Sequence, residues 1–339
     1  MRDGVTQGRG WIGDGHGSAM VDPRVSLALY GRRVPRTDTC PACGGALSAW
    51  CRVPASDPSL QRAEFRLLRC GQCGSAVTEG RPPAGLHESG AYRPGAPRLH
   101  RVVRPLLGRF DHARLEMLRP LVPPPGRLLD AGAGRGRFVA SARAAGYDAF
   151  GLEPAGREVE EAAIRRVSIE EADIESGSLD AVTLWHVLEH IEDPGAALAR
   201  IRDWLSPGGA LLVGVPNLAS LQAVIGGTRW YHLDVPRHRT HFSADGLHRL
   251  LRRVGFSVLH THHALLEHNP FGMWQSIVSA FTSHPSYLYN VLKRNAPVRS
   301  VDMAITLAAG PLAPAAAALE LLAGLVGRGG TVAVLASRD

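Results

Sequence analysis

Leu128-Leu129-Asp130-Ala131-Gly132-Ala133-Gly134-Arg135-Gly136 is the stretch on which the fold turns. Two leucines belong to a short apolar strand. The alternating glycines that follow leave a turn nearly free of side chains, where backbone N–H groups can approach a ligand closely. An alanine-rich helix over 138–145 comes next, then a second apolar strand over 149–152 that stops at Glu153. The alternation continues outward. Apolar runs at 181–185 and 210–215 predict two more strands, separated by a helix over 196–205 that Pro207, Gly208 and Gly209 terminate. Ser243 is placed as the N-cap of a further helix with Leu247, Leu250, Leu251 and Val254 as its apolar stripe, and strands are expected at 257–259 and 331–336. Repetition of this kind implies an α/β fold with a mostly parallel sheet covered on both faces.

The glycine spacing narrows the ligand. A dinucleotide fingerprint would place its third glycine where Arg137 stands, whereas this loop reads Asp-x-Gly-x-Gly-x-Gly. Glu153 lies about twenty residues past the first glycine, where a carboxylate can accept hydrogen bonds from both ribose hydroxyls. Downstream come Gly177-Ser178-Leu179-Asp180-Ala181-Val182, Trp185-His186-Val187-Leu188-Glu189-His190-Ile191, Asp193-Pro194, Leu205-Ser206-Pro207-Gly208-Gly209 and Pro216-Asn217. Together these resemble the motifs of class I S-adenosylmethionine-dependent methyltransferases of the small-molecule type, from Arg127 to about Val258. The resemblance implies a Rossmann-like, doubly wound, seven-stranded sheet. It also implies that Asp130, Ala131, Gly132, Ala133 and Gly134 hold the methionine portion of the cofactor, Glu153 its ribose, and the backbone near Trp185 and His186 the sulfonium side. The adenine partner is left among Ser168, Glu170 and Asp173.

Two clusters can face an acceptor. His186, Glu189 and His190 share one face if their segment is helical. Their H-x-x-E-H pattern is that of a zinc protease, but the resemblance places it at a strand end and turn, where the alternatives are a divalent metal or a turn that lines the cofactor pocket. The second cluster is the loop Trp230-Tyr231-His232-Leu233-Asp234-Val235-Pro236-Arg237-His238-Arg239-Thr240-His241-Phe242. It resembles a D-x-P-R-H-x-x-H-F segment that lies over the acceptor pocket in some of these enzymes. His238, His241 or His190 is the candidate general base, against the alternative that these histidines only close the pocket.

Cys40-Pro-Ala-Cys43-Gly-Gly and Cys70-Gly-Gln-Cys73-Gly form two C-x-x-C knuckles, each followed by glycine, and so predict a structural zinc ion in a ribbon-like module. Cys51 is left over. A zinc module ahead of a methyltransferase resembles bacterial enzymes of sugar, polysaccharide and secondary-metabolite pathways, and also some ribosomal RNA methyltransferases. Against RNA, no Asn/Asp-Pro-Pro-aromatic motif follows the fourth strand, and no lysine and aromatic platform accompanies the cysteines. The expected acceptor is therefore a small molecule, a sugar or a lipid-linked intermediate. An RNA substrate and a non-catalytic scaffold are the alternatives.

In a chain of 339 residues with a formal charge of +7, the cations are nearly all arginines spread along the sequence, Lys293 being the single lysine, so no nucleic-acid stripe emerges. Paired cysteines and the lack of a signal-like start predict a cytoplasmic protein. The expected organisation is a disordered 1–37, a zinc module over 38–82, a connector with a helix over 83–125, and a methyltransferase domain over 126–339. Within that domain a helical insertion, 266–329, is a possible acceptor lid. Its apolar stretch 303–326 carries Glu320 as its only charge and is broken by Pro311 and Pro314, so it is expected as a buried or membrane-surface element rather than a transmembrane span, which leaves peripheral membrane contact open.

Overall fold

A computed structural model describes residues 39–60, 63–83, 86, 100–154 and 163–339, with the backbone alone for 100–105. The expectation of disorder over 1–37 and most of the connector expected between 83 and 99 lie outside these residues.

Near the start of the described chain, strands β1 (Leu47–Pro54), β2 (Glu64–Cys70) and β3 (Ala76–Thr78) make an antiparallel ribbon. Helix α1 (His100–Leu118) leads to β4 (Arg127–Ala131), α2 (Arg137–Ala144), β5 (Asp148–Leu152), β6 (Ile164–Arg165) and β7 (Leu179–Trp185). Then come α3 (Pro194–Trp204), β8 (Leu205–Pro216), α4 (Leu221–Gly226), β9 (Thr240–His241), α5 (Ala244–Arg253) and β10 (Phe256–His262). Helices α6 (Asn269–Val278), α7 (Tyr287–Leu292), α8 (Ser300–Ala308) and α9 (Ala313–Leu325) fill the insertion before β11 (Thr331–Arg338).

The main sheet has seven strands in the order β10-β11-β8-β7-β4-β5-β6. All pairings from β8 to β6 are parallel, and β11 runs antiparallel to both its neighbours. Adjacent residues divide between the two faces. Leu129, Val182 and Leu211 pack with Leu198, Ile201, Leu247 and Leu250 on one side, while Leu128, Ala181 and Leu212 pack with Leu115, Phe138 and Val139 on the other. A strand covered on both faces needs no polar alternation, and this is why 128–129 and 210–215 read as continuous apolar runs. The chain leaves β4 toward β5 and β6 and returns on its other side at β7. This reversal is the topological switch point at which α/β sheets open a crevice beyond their strand ends.

The ribbon does not close on itself. Its sheet runs β1-β2-β3-β9, with Ala76 opposite His241 and Val77 opposite Thr240. The loop that the resemblance places over an acceptor pocket thus contributes the fourth strand of the cysteine module. Ser243 caps α5 by accepting from Gly246 N–H (2.9 Å), as the sequence predicts, and its own hydroxyl donates to the Cys73 carbonyl (2.5 Å).

Candidate active site

The crevice begins at the glycine turn. Gly132, Gly134 and Gly136 have φ of 80°, 59° and 87°, a region that β-carbons disfavour, and a Cβ on Gly132 would run into Val187. Gly132 and Ala133 donate N–H to the Leu152 carbonyl (2.8 and 2.9 Å), and Gly134 N–H donates to Glu153 Oε2 (2.8 Å). These bonds hold the turn against the end of β5. Asp130 is buried beneath it and accepts from the Thr183 hydroxyl (2.6 Å). Burial raises its carboxyl to about 6. Of the adenine candidates, Ser168 is engaged with its neighbour Glu171, N–H to carboxylate (3.2 Å) and hydroxyl from N–H (3.3 Å), whereas Glu170 and Asp173 are exposed.

Trp185 ends β7 with its ring under the Arg114 guanidinium, 4.2 Å from the ring centroid. Arg114, on α1, is ion-paired with Glu267 at the entry to the insertion, both side chains being nearly buried. Burial pushes the Glu267 carboxyl up, but Arg114 outweighs it and holds the group down to about 2. Beside them Arg137 pairs with the fully buried Asp111. None of Arg114, Asp111, Glu267 and His268 stands out in the sequence. Asp111 and Arg114 on α1 lie about 150 residues from Glu267 and His268, in the bend just ahead of α6, and only the fold brings the two pairs together.

His186 has φ of 56° and directs Nδ1 to Glu189 Oε1 (3.2 Å). Its ring stacks on His232 (centroids 5.8 Å, planes 4° apart) and stands edge-on to His268 (6.2 Å). Residues 188–190 form one short 3₁₀ turn. His190 Nδ1 meets the Arg237 carbonyl (3.3 Å) and His238 Nδ1 meets the His232 carbonyl (2.9 Å). A carbonyl only accepts, so Nδ1 carries the proton in each ring and Nε2 keeps its lone pair. Burial holds His238 well below its ordinary pKa and lowers His190 as well, so both imidazoles are neutral at pH 7. The two rings sit 4.6 Å apart, and one ligand atom from each of Glu189, His190 and His238 lies within 4.8 Å of the others. This is room for either a proton in transit or a divalent ion. Glu189 Oε2 and His232 Nε2 are buried without a hydrogen-bond partner among the described residues.

His241 stands apart from this group. Its Nε2 bonds the Thr78 hydroxyl (2.9 Å), which itself donates to the His238 carbonyl (2.7 Å). Burial depresses its pKa to about 3. It sits inside the ribbon sheet on β9, so its ring holds the loop from below.

In the ribbon, Cys40 and Cys73 sulfurs are 3.7 Å apart, Cys43 and Cys70 sulfurs 3.5 Å, and all four lie within 4.8 Å of one another. A tetrahedral zinc with ~2.3 Å bonds needs sulfur separations of ~3.8 Å, so the donor set fits that ion. Burial would raise the Cys70 thiol, but N–H donors of Cys73 and Gln72 bring it down to about 7, toward the thiolate that a metal requires. The module is clamped to the acceptor loop by the buried Asp57 to Arg237 ion pair, and Val235 N–H donates to the Ser56 hydroxyl (3.2 Å).

Residues 103–261 match the model of a methyltransferase domain family. An uncharacterized 37.1 kDa protein in transposon TN4556 of Streptomyces fradiae is 36% identical over 119 residues, 31% of this chain and 34% of that protein, so the chain spans about a third of that relative. A ubiquinone biosynthesis O-methyltransferase of Cereibacter sphaeroides is 27% identical over 175 residues, covering 47% of this chain and 70% of the relative. Among solved structures, a SAM-dependent methyltransferase of Thermotoga maritima, described as a possible histamine N-methyltransferase, is 19% identical with a TM-score of 0.42, over 71% of this chain and 98% of that one.

Proposed function

We propose that this chain, which through residues 103–261 belongs to the class I S-adenosylmethionine-dependent methyltransferases, methylates a hydroxyl group of a small-molecule, sugar or lipid-linked acceptor. The observation that carries the reading is the trio of the buried Glu189 and His238 with the half-buried His190, at the end of β7 next to the glycine turn across the switch point. When bound, S-adenosylmethionine supplies an activated methyl group on a sulfonium. The protein's own task is then to align the acceptor oxygen, exclude water and take one proton.

Residues 130–134 are assigned to the methionine end of the cofactor and Glu153 to its ribose, because the turn and the acid are already held together by the Gly134 N–H bond. Trp185 and His186 are assigned to the sulfonium side, and the adenine is given to the segment of Glu170 and Asp173. His238 is assigned as the base. Its Nε2 lone pair is free for the acceptor proton, and Glu189 Oε1 at 3.9 Å is the counter-charge for the imidazolium that results. His190 orients beside it, and His241 is given a structural part beneath the loop. An edge-to-face set of Tyr231, Phe271 and Tyr289, with centroids 5.5 to 5.6 Å apart, adds an apolar wall suited to an aromatic or otherwise lipophilic acceptor. The ubiquinone O-methyltransferases among the relatives fit such a substrate.

The trio supports a second reading, in which Glu189, His190 and His238 hold a divalent ion that acidifies the acceptor hydroxyl. Two neutral imidazole nitrogens and a carboxylate are an apt donor set for it. The four cysteines are assigned a structural zinc, with the ribbon acting as a clamp on the acceptor loop rather than as an RNA reader. A cytoplasmic setting, where the thiols stay reduced, completes the proposal. Calorimetry with S-adenosylmethionine tests the ribose assignment. Glu153→Ala should weaken binding by about tenfold or more, as expected for loss of a charged hydrogen-bond acceptor, and equal affinities would remove Glu153 from the site.

A further inference from the structure

Helices α8 and α9 turn an apolar face outward. Ser300–Leu325 makes a run of 26 residues which, by length and composition, could cross a membrane, and 17% of its most apolar window is buried. Leu307, Leu322, Leu325 and Val326 are 61–73% exposed, and Val301, Leu312, Leu319 and Leu321 are exposed as well. Water-facing leucines in such number mark an interaction surface.

What remains charged around this face is of one sign. Between residues 281 and 330 the only acids are Asp302 and Glu320, and both are buried. Asp302 accepts from Ser283 N–H (2.8 Å) and hydroxyl (2.5 Å), and Glu320 accepts from Gly330 N–H (2.7 Å). The exposed charges are Arg294 ahead of α8 and Arg328 just past α9, while Arg299, also exposed, is ion-paired with Asp302 (3.3 Å). A span across a bilayer is ruled out by the packing. Ala316, Glu320, Ala323 and Gly324 are buried, Trp274 on α6 donates its indole N–H to the Ala309 carbonyl (2.8 Å), and Glu320 is tied to the residue that precedes β11 of the main sheet. A helix fixed along one side to a water-soluble sheet can only lie flat.

We propose that the outward face of α8 and α9 lies in the surface of an anionic phospholipid bilayer, its leucines at the headgroup–acyl boundary and Arg294 and Arg328 against headgroup phosphates. The cationic ends complement that partner, and a second copy of the same face would set arginine against arginine. The inference is independent of which acceptor is methylated, because it is read from binding to lipid and not from turnover.

Flotation of the full chain with phosphatidylcholine vesicles, and with vesicles of one part phosphatidylglycerol to two parts phosphatidylcholine, is the test. The protein should float with the anionic vesicles and much less with the neutral ones. The triple variant Leu307→Glu, Leu322→Glu, Leu325→Glu should lower the partition coefficient by at least about tenfold while melting temperature and S-adenosylmethionine affinity hold. Should that variant fail to fold, Arg294→Glu with Arg328→Glu must lose the preference for the anionic vesicles. The proposal is overturned if wild type floats with neither, if it binds both equally, or if the triple variant instead turns a dimer into a monomer with no change in flotation.

Discussion

The two halves of the candidate active-site crevice are built in opposite ways. On the proposed cofactor side, residues 130 to 153 are one unbroken stretch, and the decisive contact, Gly134 N–H to Glu153, joins the segments that follow two neighbouring strands, β4 and β5. The proposed acceptor side gathers Arg114, residues 187 to 190, the 230–242 loop and the Glu267-His268 pair from four distant segments, with the cysteine ribbon fastened beneath. A local pocket survives as long as its turn survives. A pocket assembled at long range fails when any one of its supports does, and the sharpest experiments exploit that difference.

The largest effect is expected at the ribbon. Cys70→Ser should abolish zinc binding and with it most methyl transfer, because a structural zinc is worth on the order of 10 kcal/mol to a small module. S-adenosylmethionine binding should largely persist, since β4 and β5 do not depend on β9. Metal analysis, calorimetry and a turnover assay on one preparation decide the matter. A zinc-free variant with full turnover would show that the ribbon does not hold the loop.

Within the acceptor pocket, Glu189→Gln should lower kcat by about a hundredfold or more, the range for impaired acid–base catalysis, with cofactor affinity unchanged. Chelator treatment of wild type separates the two chemistries of the trio. Loss of turnover while metal analysis still finds the ribbon zinc, restored by added magnesium or manganese, selects the metal, and indifference to chelator selects the imidazole base. A Glu189→Gln variant whose defect lies entirely in cofactor affinity would mean that the boundary between the halves is drawn in the wrong place.

A smaller and purely local effect is expected at Asp130. Its carboxyl ordinarily titrates at 3.8 and is raised by burial to about 6 in the folded chain. The folded state therefore binds the proton more tightly, and the stability this group contributes is complete below 3.8 and lost as pH rises through 6. The loss amounts to ~3 kcal/mol at most. Denaturant melts of wild type and Asp130→Asn across pH 4 to 7 should differ in slope, the variant losing less stability as pH rises. Parallel curves would mean that Asp130 titrates normally.

Much of this molecule is legible without coordinates, and the reason is range. The glycine turn, Glu153, the Ser243 cap and the two cysteine knuckles each depend on residues close in sequence, so composition and spacing carry them. The trio is half legible. His190 and His238 are visible as histidines of a polar turn and a polar loop, but their tautomers, and with them the direction of each lone pair, come from carbonyls elsewhere in the chain. His241 illustrates what spacing conceals. Three residues beyond His238 in the same loop, it enters a β-sheet and turns its ring onto Thr78, a partner 163 positions away.

The sequence alone determined the α/β alternation, the glycine turn and the two cysteine knuckles, because hydrophobic period, glycine conformation and thiol spacing are local properties. Tertiary structure alone decided that β9 belongs to the ribbon, that Arg114 meets Glu267 over Trp185, and that the leucines of α8 and α9 face outward. Such pairings are chosen by burial and charge neutralisation between distant segments, and no local pattern of residues encodes which partner a buried charge will find.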